Sequence, residues 1–188
     1  MKKLKLGFLS LLLLPGVTLA SPEISLGLSD HSLSFAVSQS GSEGQWAFAS
    51  AQITDDEHKL RQAEVGLGVA ESLSDQVAAG VGLVAMAQTF DAQNTDFDGI
   101  ALAVRLSTEL KIPGQLGLLA AASIDYAPGI TSIQDLDSYQ AFRASIAYPL
   151  LSRGTIGLGY HNIQSETDSA EDDVTVDEAV TLQLSLQF

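Results

Sequence analysis

Glu64, Arg105, Asp125 and Arg143 each sit inside a stretch in which every second residue is apolar. Val65, Leu67 and Val69 follow the first; Ile100, Leu102, Val104 and Leu106 surround the second. Leu116, Leu118, Ala120, Ala122 and Ile124 lead to the third, and Phe142, Ala144, Ile146 and Tyr148 frame the fourth. A strand repeats its side-chain direction every two residues, so both acids and both bases fall on the face opposite the apolar one. Ion pairing inside an enclosure is the chemistry this permits. An arginine turned to mid-membrane hydrocarbon instead would cost ~2–4 kcal/mol. The expectation is a lumenal polar network of Glu64, Arg105, Asp125 and Arg143 that fills an interior. In an open pore the same charges would form a selectivity ring or ligand site.

Other candidate chemistry is weaker. His161 shares a face with Gly157 and Gly159, and an enzyme built on it needs a nucleophile and an orienting group within hydrogen-bond reach. No nucleophile-elbow pattern is present and the serines are spread through alternating segments, which disfavours hydrolase or acyltransferase chemistry. His31 and His58 fall at a loop tip and a loop end, with no metal-ligand spacing to His161. Asn94 to Gly99 carries oxygens at alternate positions before a glycine, as an EF-hand loop does, but Arg105 stands where the bidentate Glu is required. No catalytic, metal or cofactor site is assigned. Asp55, Asp56 and Glu57 in one loop, and Glu166, Asp168, Glu171, Asp172 and Asp173 in another, gather carboxylates. They read first as hydrated loops, and second as an oxygen-rich rim for divalent cations.

The elements that must position these residues are strands. Residues 177–188 alternate most cleanly, with Val180, Leu182, Leu184, Leu186 and Phe188 against Thr181, Gln183, Ser185 and Gln187. Period-two segments also cover 24–28, 32–38, 45–53, 59–70, 76–89, 98–110, 115–126, 138–149 and 154–164. Residues 76–89 leave the inward side open, because Ala and Gly occupy both faces. No helix longer than a turn is expected. The connections alternate between two classes: 39–44, 71–75, 111–114 and 150–153 are short, while 54–58, 91–97, 127–137 and 164–176 are mostly longer and acidic. This matches the short periplasmic turns and longer external loops of an up-and-down transmembrane β-barrel. An even strand number follows: ten, or eight if the first hairpin lies outside the ring. Trp46, Tyr148 and Phe188 fall beside the short turns, and Phe90, Phe97, Tyr126 and Tyr139 beside the long loops. Two interfacial aromatic girdles are therefore expected.

Met1 to Ala20 has three lysines, an apolar run from Leu6 to Leu14 and the small-residue site Thr18-Leu19-Ala20, the pattern of a secretory signal peptide. The run is short of the ~20 residues of a spanning helix. Residues 21–188 then form one barrel domain. The chain has no cysteine, which excludes disulfides and lipoprotein anchoring. Its formal charge is −14, and the leader carries bases but no acid, so the processed chain is more acidic still. Bulk attraction to nucleic acid or anionic lipid is excluded. Mean hydropathy is nevertheless positive, at +0.20, as expected where apolar surface hides in alternation.

Tyr126-Ala127-Pro128, the Tyr139-led strand and the Gly159-Tyr160 pair of the penultimate strand resemble the YfaZ-type outer-membrane proteins. ISLGLSDHSLSF near the start, the central FDGIALAV and the terminal Phe188 extend the likeness over most of the chain. His161 and the many Ala and Ser residues depart from the family's usual Arg and inward Tyr. The resemblance implies a small outer-membrane barrel and supplies no reaction or ligand. The sequence thus points to an exported barrel with a structural or interaction role, set in outer-membrane lipid. Its C-terminal strand, ending in Phe188, is expected to act as the signal to the barrel-assembly machinery. A narrow channel and a lipid-modifying enzyme are the alternatives.

Overall fold

Alternating segments with a greasy face can satisfy their backbones in hydrocarbon only by closing into a ring, and this chain does so. In the computed structural model, residues 22–55, 59–92, 95–114, 117–167 and 174–188 are described. The expected leader, His58, Asn94, Leu116 and most of the acidic-loop carboxylates lie outside them. The strands are β1 (Glu23–Leu28), β2 (Ser32–Ser40), β3 (Gln45–Thr54), β4 (Arg61–Ser72), β5 (Val77–Ala92), β6 (Thr95–Lys111), β7 (Leu119–Ala127), β8 (Ser132–Gln134), β9 (Leu136–Leu151), β10 (Gly154–Thr167) and β11 (Val174–Gln187). Every pairing is antiparallel, and β11 returns to β1. β8 is a stub added to β6 at Gly99–Ala101, so the ring itself has ten strands. The first hairpin lies inside it, which removes the eight-strand alternative.

The closing seam shows why the ring forms. Ile24, Leu26 and Leu28 pair with Leu186, Leu184 and Leu182 on the outer face, while Ser25 Oγ meets Ser185 Oγ at 2.8 Å inside. The Phe188 N–H donates to the Pro22 carbonyl at 2.9 Å, so β1 begins and β11 ends at one rim. We call this the terminal end and the opposite rim the loop end. Leu67, Leu83, Leu102, Ile146, Leu158 and Leu184 are among many large apolar side chains exposed on the outer wall. So continuous an apolar belt is the surface of a protein solvated by lipid. Among the described residues no helix is long and apolar enough to cross a membrane; strands make the crossing.

Two expectations are corrected. Residues 91–92 and 95–97, expected in a loop, are strand: Phe90, Asp91 and Ala92 pair with Phe97, Asp96 and Thr95. β5, β6 and β9 reach 16, 17 and 16 residues, against the ~9–11 needed to span, and they project at the loop end. Polar side chains on both faces beyond the hydrocarbon made this stretch read as loop. The two girdles also fail as drawn. Tyr126, Tyr148 and Phe188 do point outward, but Phe90, Phe97 and Tyr139 are buried in the interior, and Trp46 lines the lumen. Position along a strand places an aromatic near a rim; only its phase decides which side of the wall it occupies.

The interior is divided along its length. At the loop end Leu60, Met86, Phe90, Phe97, Leu136, Tyr139, Ile163 and Val176 form a packed apolar plug. The Phe90 and Phe97 rings stack at 5.5 Å. Leu136 seats directly over Gly99, where any β-carbon would lie 2.8 Å from the leucine Cβ. Toward the terminal end the inward positions are mostly Gly, Ala and Ser, and a cavity remains.

Candidate functional site

Strand register brings the four charged residues to one level. Arg105 on β6 lies directly opposite Asp125 on β7, and Arg143 on β9 is one diagonal step farther, since its partner is Ser123. Glu64 arrives from β4, beyond β5. Arg105 Nε and Nη2 donate to the two oxygens of Asp125, each at 2.6 Å, a bidentate fork. Arg143 Nη1 donates to Asp125 Oδ2, and its Nη2 reaches Glu64 Oε1 at 2.5 Å. Arg105 Nη2 lies 3.6 Å from Glu64 Oε2. Two carboxylates and two guanidiniums are thus committed to one another. Asp125 and Glu64 are buried, and so large a desolvation penalty is tolerable only with such complete pairing.

Three further residues complete this floor. Tyr139 donates its hydroxyl to Glu64 at 3.1 Å, Gln62 Nε2 donates to the same oxygen at 2.6 Å, and Ser50 Oγ donates to Oε2 at 3.3 Å. Sequence phasing reaches Gln62, which shares the inward face with Glu64, but not Ser50, which shares its face with the apolar Trp46 and Phe48. Tyr139, near a strand end, is expected in a girdle. On the loop-end side lies a second cluster that the sequence reading missed. Buried Asp177 accepts from His161 Nε2 at 2.6 Å and contacts His31 Nε2 at 3.2 Å, and Gln52 Nε2 also donates to it. His31 Nδ1 in turn meets exposed Asp30 at 2.6 Å. The signal was available, because Asp177 has the inward phase of Thr181 and Gln183. The partners found for His161 are an acid and an amide, not a hydroxyl nucleophile. Among the described residues no group of three or more His, Asp or Glu side chains is placed to hold a metal ion. Of the acidic loops, Glu166 accepts from Ser138 Oγ at 3.0 Å; Asp56, Glu57, Asp168, Glu171, Asp172 and Asp173 lie outside the described residues.

Between the floor and the terminal rim lies a cavity of about 550 Å³. Its wall descends from Glu64, Arg105 and Arg143 to Ser40, Gly44, Ser72 and Ala78 beside the short turns. Trp46 and Phe48 stack on one side of it at 6.0 Å, nearly parallel, and the Arg105 guanidinium lies 4.3 Å over the Phe48 ring. That is the geometry of a cation–π contact.

The family described as YfaZ precursor matches residues 1–188. The chain belongs to the YfaZ family. No curated protein matches this YfaZ chain. Among solved structures it is similar to the KdgM porin in complex with disordered oligogalacturonate, at 8% identity over 90% of this chain and 98% of that one, with a TM-score of 0.45. It is also similar to the outer-membrane channel DcaP of Acinetobacter baumannii, at 13% identity over 92% of this chain and 64% of that one, TM-score 0.48. The NanC porin aligns at 8% identity over 90% of this chain and 99% of that one, TM-score 0.42. The YfaZ chain is thus a small transmembrane barrel whose loop end is plugged and whose terminal end is hollow.

Proposed function

We propose that this YfaZ protein is a non-conducting outer-membrane barrel, a structural and binding element whose lumen opens only toward its terminal end. The carrying observation is the pair of barriers across the lumen: the apolar plug from Leu60 to Val176, and beneath it the neutral, mutually bonded floor. An ion would have to cross a packed, largely apolar layer whose few buried polar groups, such as Gln88 and Ser165, bond to one another, and there isolated charge is severely penalised. The start of β1, the end of β11 and the short connections between the other strands lie at the open end, so delivery from the periplasm leaves the cup facing that compartment. Outer-membrane lipid covers the belt, and the β11 strand ending in Phe188 is the segment offered to the assembly machinery. This reading excludes a steady channel, and among the described residues His161 is engaged with Asp177 and Gln52. The test is current across planar bilayers holding the refolded protein. We expect no steady conductance above the bare membrane, and a stable ohmic step refutes the closed lumen. Fractionation with a heat-modifiable gel shift checks the location.

A further inference from the structure

We propose that the terminal-end cavity binds a small uncharged saccharide, one sugar face stacked on Trp46; this deepens the closed-barrel reading and rests on it. Ten strands enclose an interior that side chains nearly fill in ordinary small barrels. Here about 550 Å³ is left open, within the ~300–1,000 Å³ of small-molecule sites, which favour barrel mouths. The hollow is built rather than left over. Gly66, Gly68 and Gly82 lie under the two aromatic rings, where β-carbons would come within 2.3–2.4 Å of Phe48 or Trp46 ring carbons. With side chains there, the rings could not lie flat against the wall, and the lumen would close. Three glycines on two adjacent strands therefore convert Trp46 and Phe48 from filler into a shelf.

The chemistry of the remaining wall selects the ligand. Across the ring from β3 stand β9 and β10, flanked by β7 and β11, and there the lining includes Ser123, Ser145, Thr181 and Gln183 among alanines. The cavity thus offers a flat aromatic face on one side and, around it, hydroxyl and amide groups between small apolar side chains. A sugar ring has the complementary surface, a C–H face and a rim of hydroxyls. Trp46 Nε1–H and Gln62 Oε1, both on lining residues, are buried and bond to no protein group among the described residues. An anion is disfavoured, since Arg105 and Arg143 are spent on Glu64 and Asp125 and the other lining carboxylate, Glu109, repels it. A purely aromatic guest would strand the hydroxyl wall.

Trp46 is the only tryptophan in the chain, so its emission reports the shelf without labelling. The full barrel, refolded in detergent micelles, is titrated with maltotriose, trigalacturonate and indole. We expect a saturable emission change with maltotriose at a Kd below about 1 mM, and at least tenfold weaker response to the other two. Ala121→Leu, which fills the cup away from the shelf, should weaken maltotriose binding tenfold or more, and calorimetry should give the same for Trp46→Ala; a retained heat-modifiable gel shift certifies each fold. No saturable response to maltotriose overturns the proposal. So does tighter binding of trigalacturonate or indole, or unchanged affinity in folded Ala121→Leu. Saturable maltotriose binding by a barrel that also conducts supports the site and refutes the closed lumen.

Discussion

Replacing Asp125 by asparagine removes the charge on which the floor is centred while keeping its volume. Asp125 is fully buried; its oxygens take Nε and Nη2 of Arg105, each at 2.6 Å, and Nη1 of Arg143. The asparagine retains one acceptor and turns a donor toward a guanidinium, leaving two positive charges to share Glu64. Removing one partner of a buried pair typically costs ~3–5 kcal/mol. Here the side chains of Arg105 and Arg143 are 13% and 26% exposed, toward the cup, and Glu64 still holds Arg143. We therefore expect ~2–4 kcal/mol, the lower range reflecting that partial hydration. Urea titration of barrel refolded in lipid vesicles, followed by Trp46 emission, reads this as a lower midpoint at unchanged slope. Adding Arg105→Gln to the asparagine variant removes the surplus charge and should recover ~1 kcal/mol or more. A loss under ~0.5 kcal/mol, or no recovery in the double variant, refutes charge pairing as what holds the floor.

Gly82→Ala places a methyl 2.4–2.5 Å from the Trp46 ring and 2.5 Å from the Leu67 carbonyl; it should destabilise the barrel by ~1–3 kcal/mol and shift Trp46 emission as the ring lifts from the wall. Leu184→Arg puts a cation on the lipid face near the closing seam and should cost ~2–4 kcal/mol and the heat-modifiable form, whereas Gln183→Leu, facing the lumen, should refold. At the loop end, burial alone would lower the pKa of His31, yet its hydrogen bonds and charge contacts with Asp30 and Asp177 outweigh that and raise it. Asp30 is lowered, chiefly by its hydrogen bond to His31. The His31 contribution is full below its unfolded value and is lost as pH rises through the higher folded value. The Asp30 contribution is present above its unfolded value and is lost as pH falls through the lower folded value. With Asp177 and His161 the other titratable groups facing this tip, amide protection over residues 29–32 should peak between about pH 4 and 6.5. His31→Gln should flatten that profile.

Phase, more than composition, made this fold legible. Strands such as β6 and β11 present a clean apolar series on one face, so Arg105 and Gln183 could be turned inward from the sequence alone, and Glu64, Asp125 and Arg143 followed. β3 misleads the same criterion. Its large apolar residues Trp46 and Phe48 face the lumen while Ala47, Ala49 and Ala51 lie on the outward side, a polarity disclosed only by register, as Val37 pairs with Ala49 and Phe35 with Ala51. The inward phase of Asp177 was legible, since 177, 179 and 181 alternate without a break, but its contact with His161 was not: only the β10–β11 register, with His161 opposite Ala179, brings the two within one diagonal step. Of the plug residues, Leu60, Met86 and Ile163 fall in segments the sequence marks as strands, whereas Phe90, Phe97, Leu136, Tyr139 and Val176 fall in its expected loops or girdles, because no local signal separates a strand that leaves the membrane from a loop.

A size gradient along the strands argues that the hollow end is selected rather than incidental. On β5 the inward residues run Ala78, Gly80, Gly82 and then Val84, Met86, Phe90; on β4, antiparallel to it, Leu60, Gln62 and Glu64 give way to Gly66, Gly68 and Ala70. β10 repeats the order with Gly157 and Gly159 before His161 and Ile163. On these three strands the order reverses in sequence with strand direction and yet points one way in space; β3 and β6 depart from it, carrying Trp46 and Phe48 and then Arg105 and Glu109 into the cavity wall. Drift toward small residues would not respect that reversal. If the barrel needed only stability, the vacant half would be the cheapest place to gain it, since filling a cavity commonly adds ~0.5–2 kcal/mol. Ser145→Leu, which projects a side chain into the cup, should therefore raise the urea midpoint while abolishing maltotriose binding. Lower stability in Ser145→Leu, with sugar affinity intact, shows that this space was never free for a ligand.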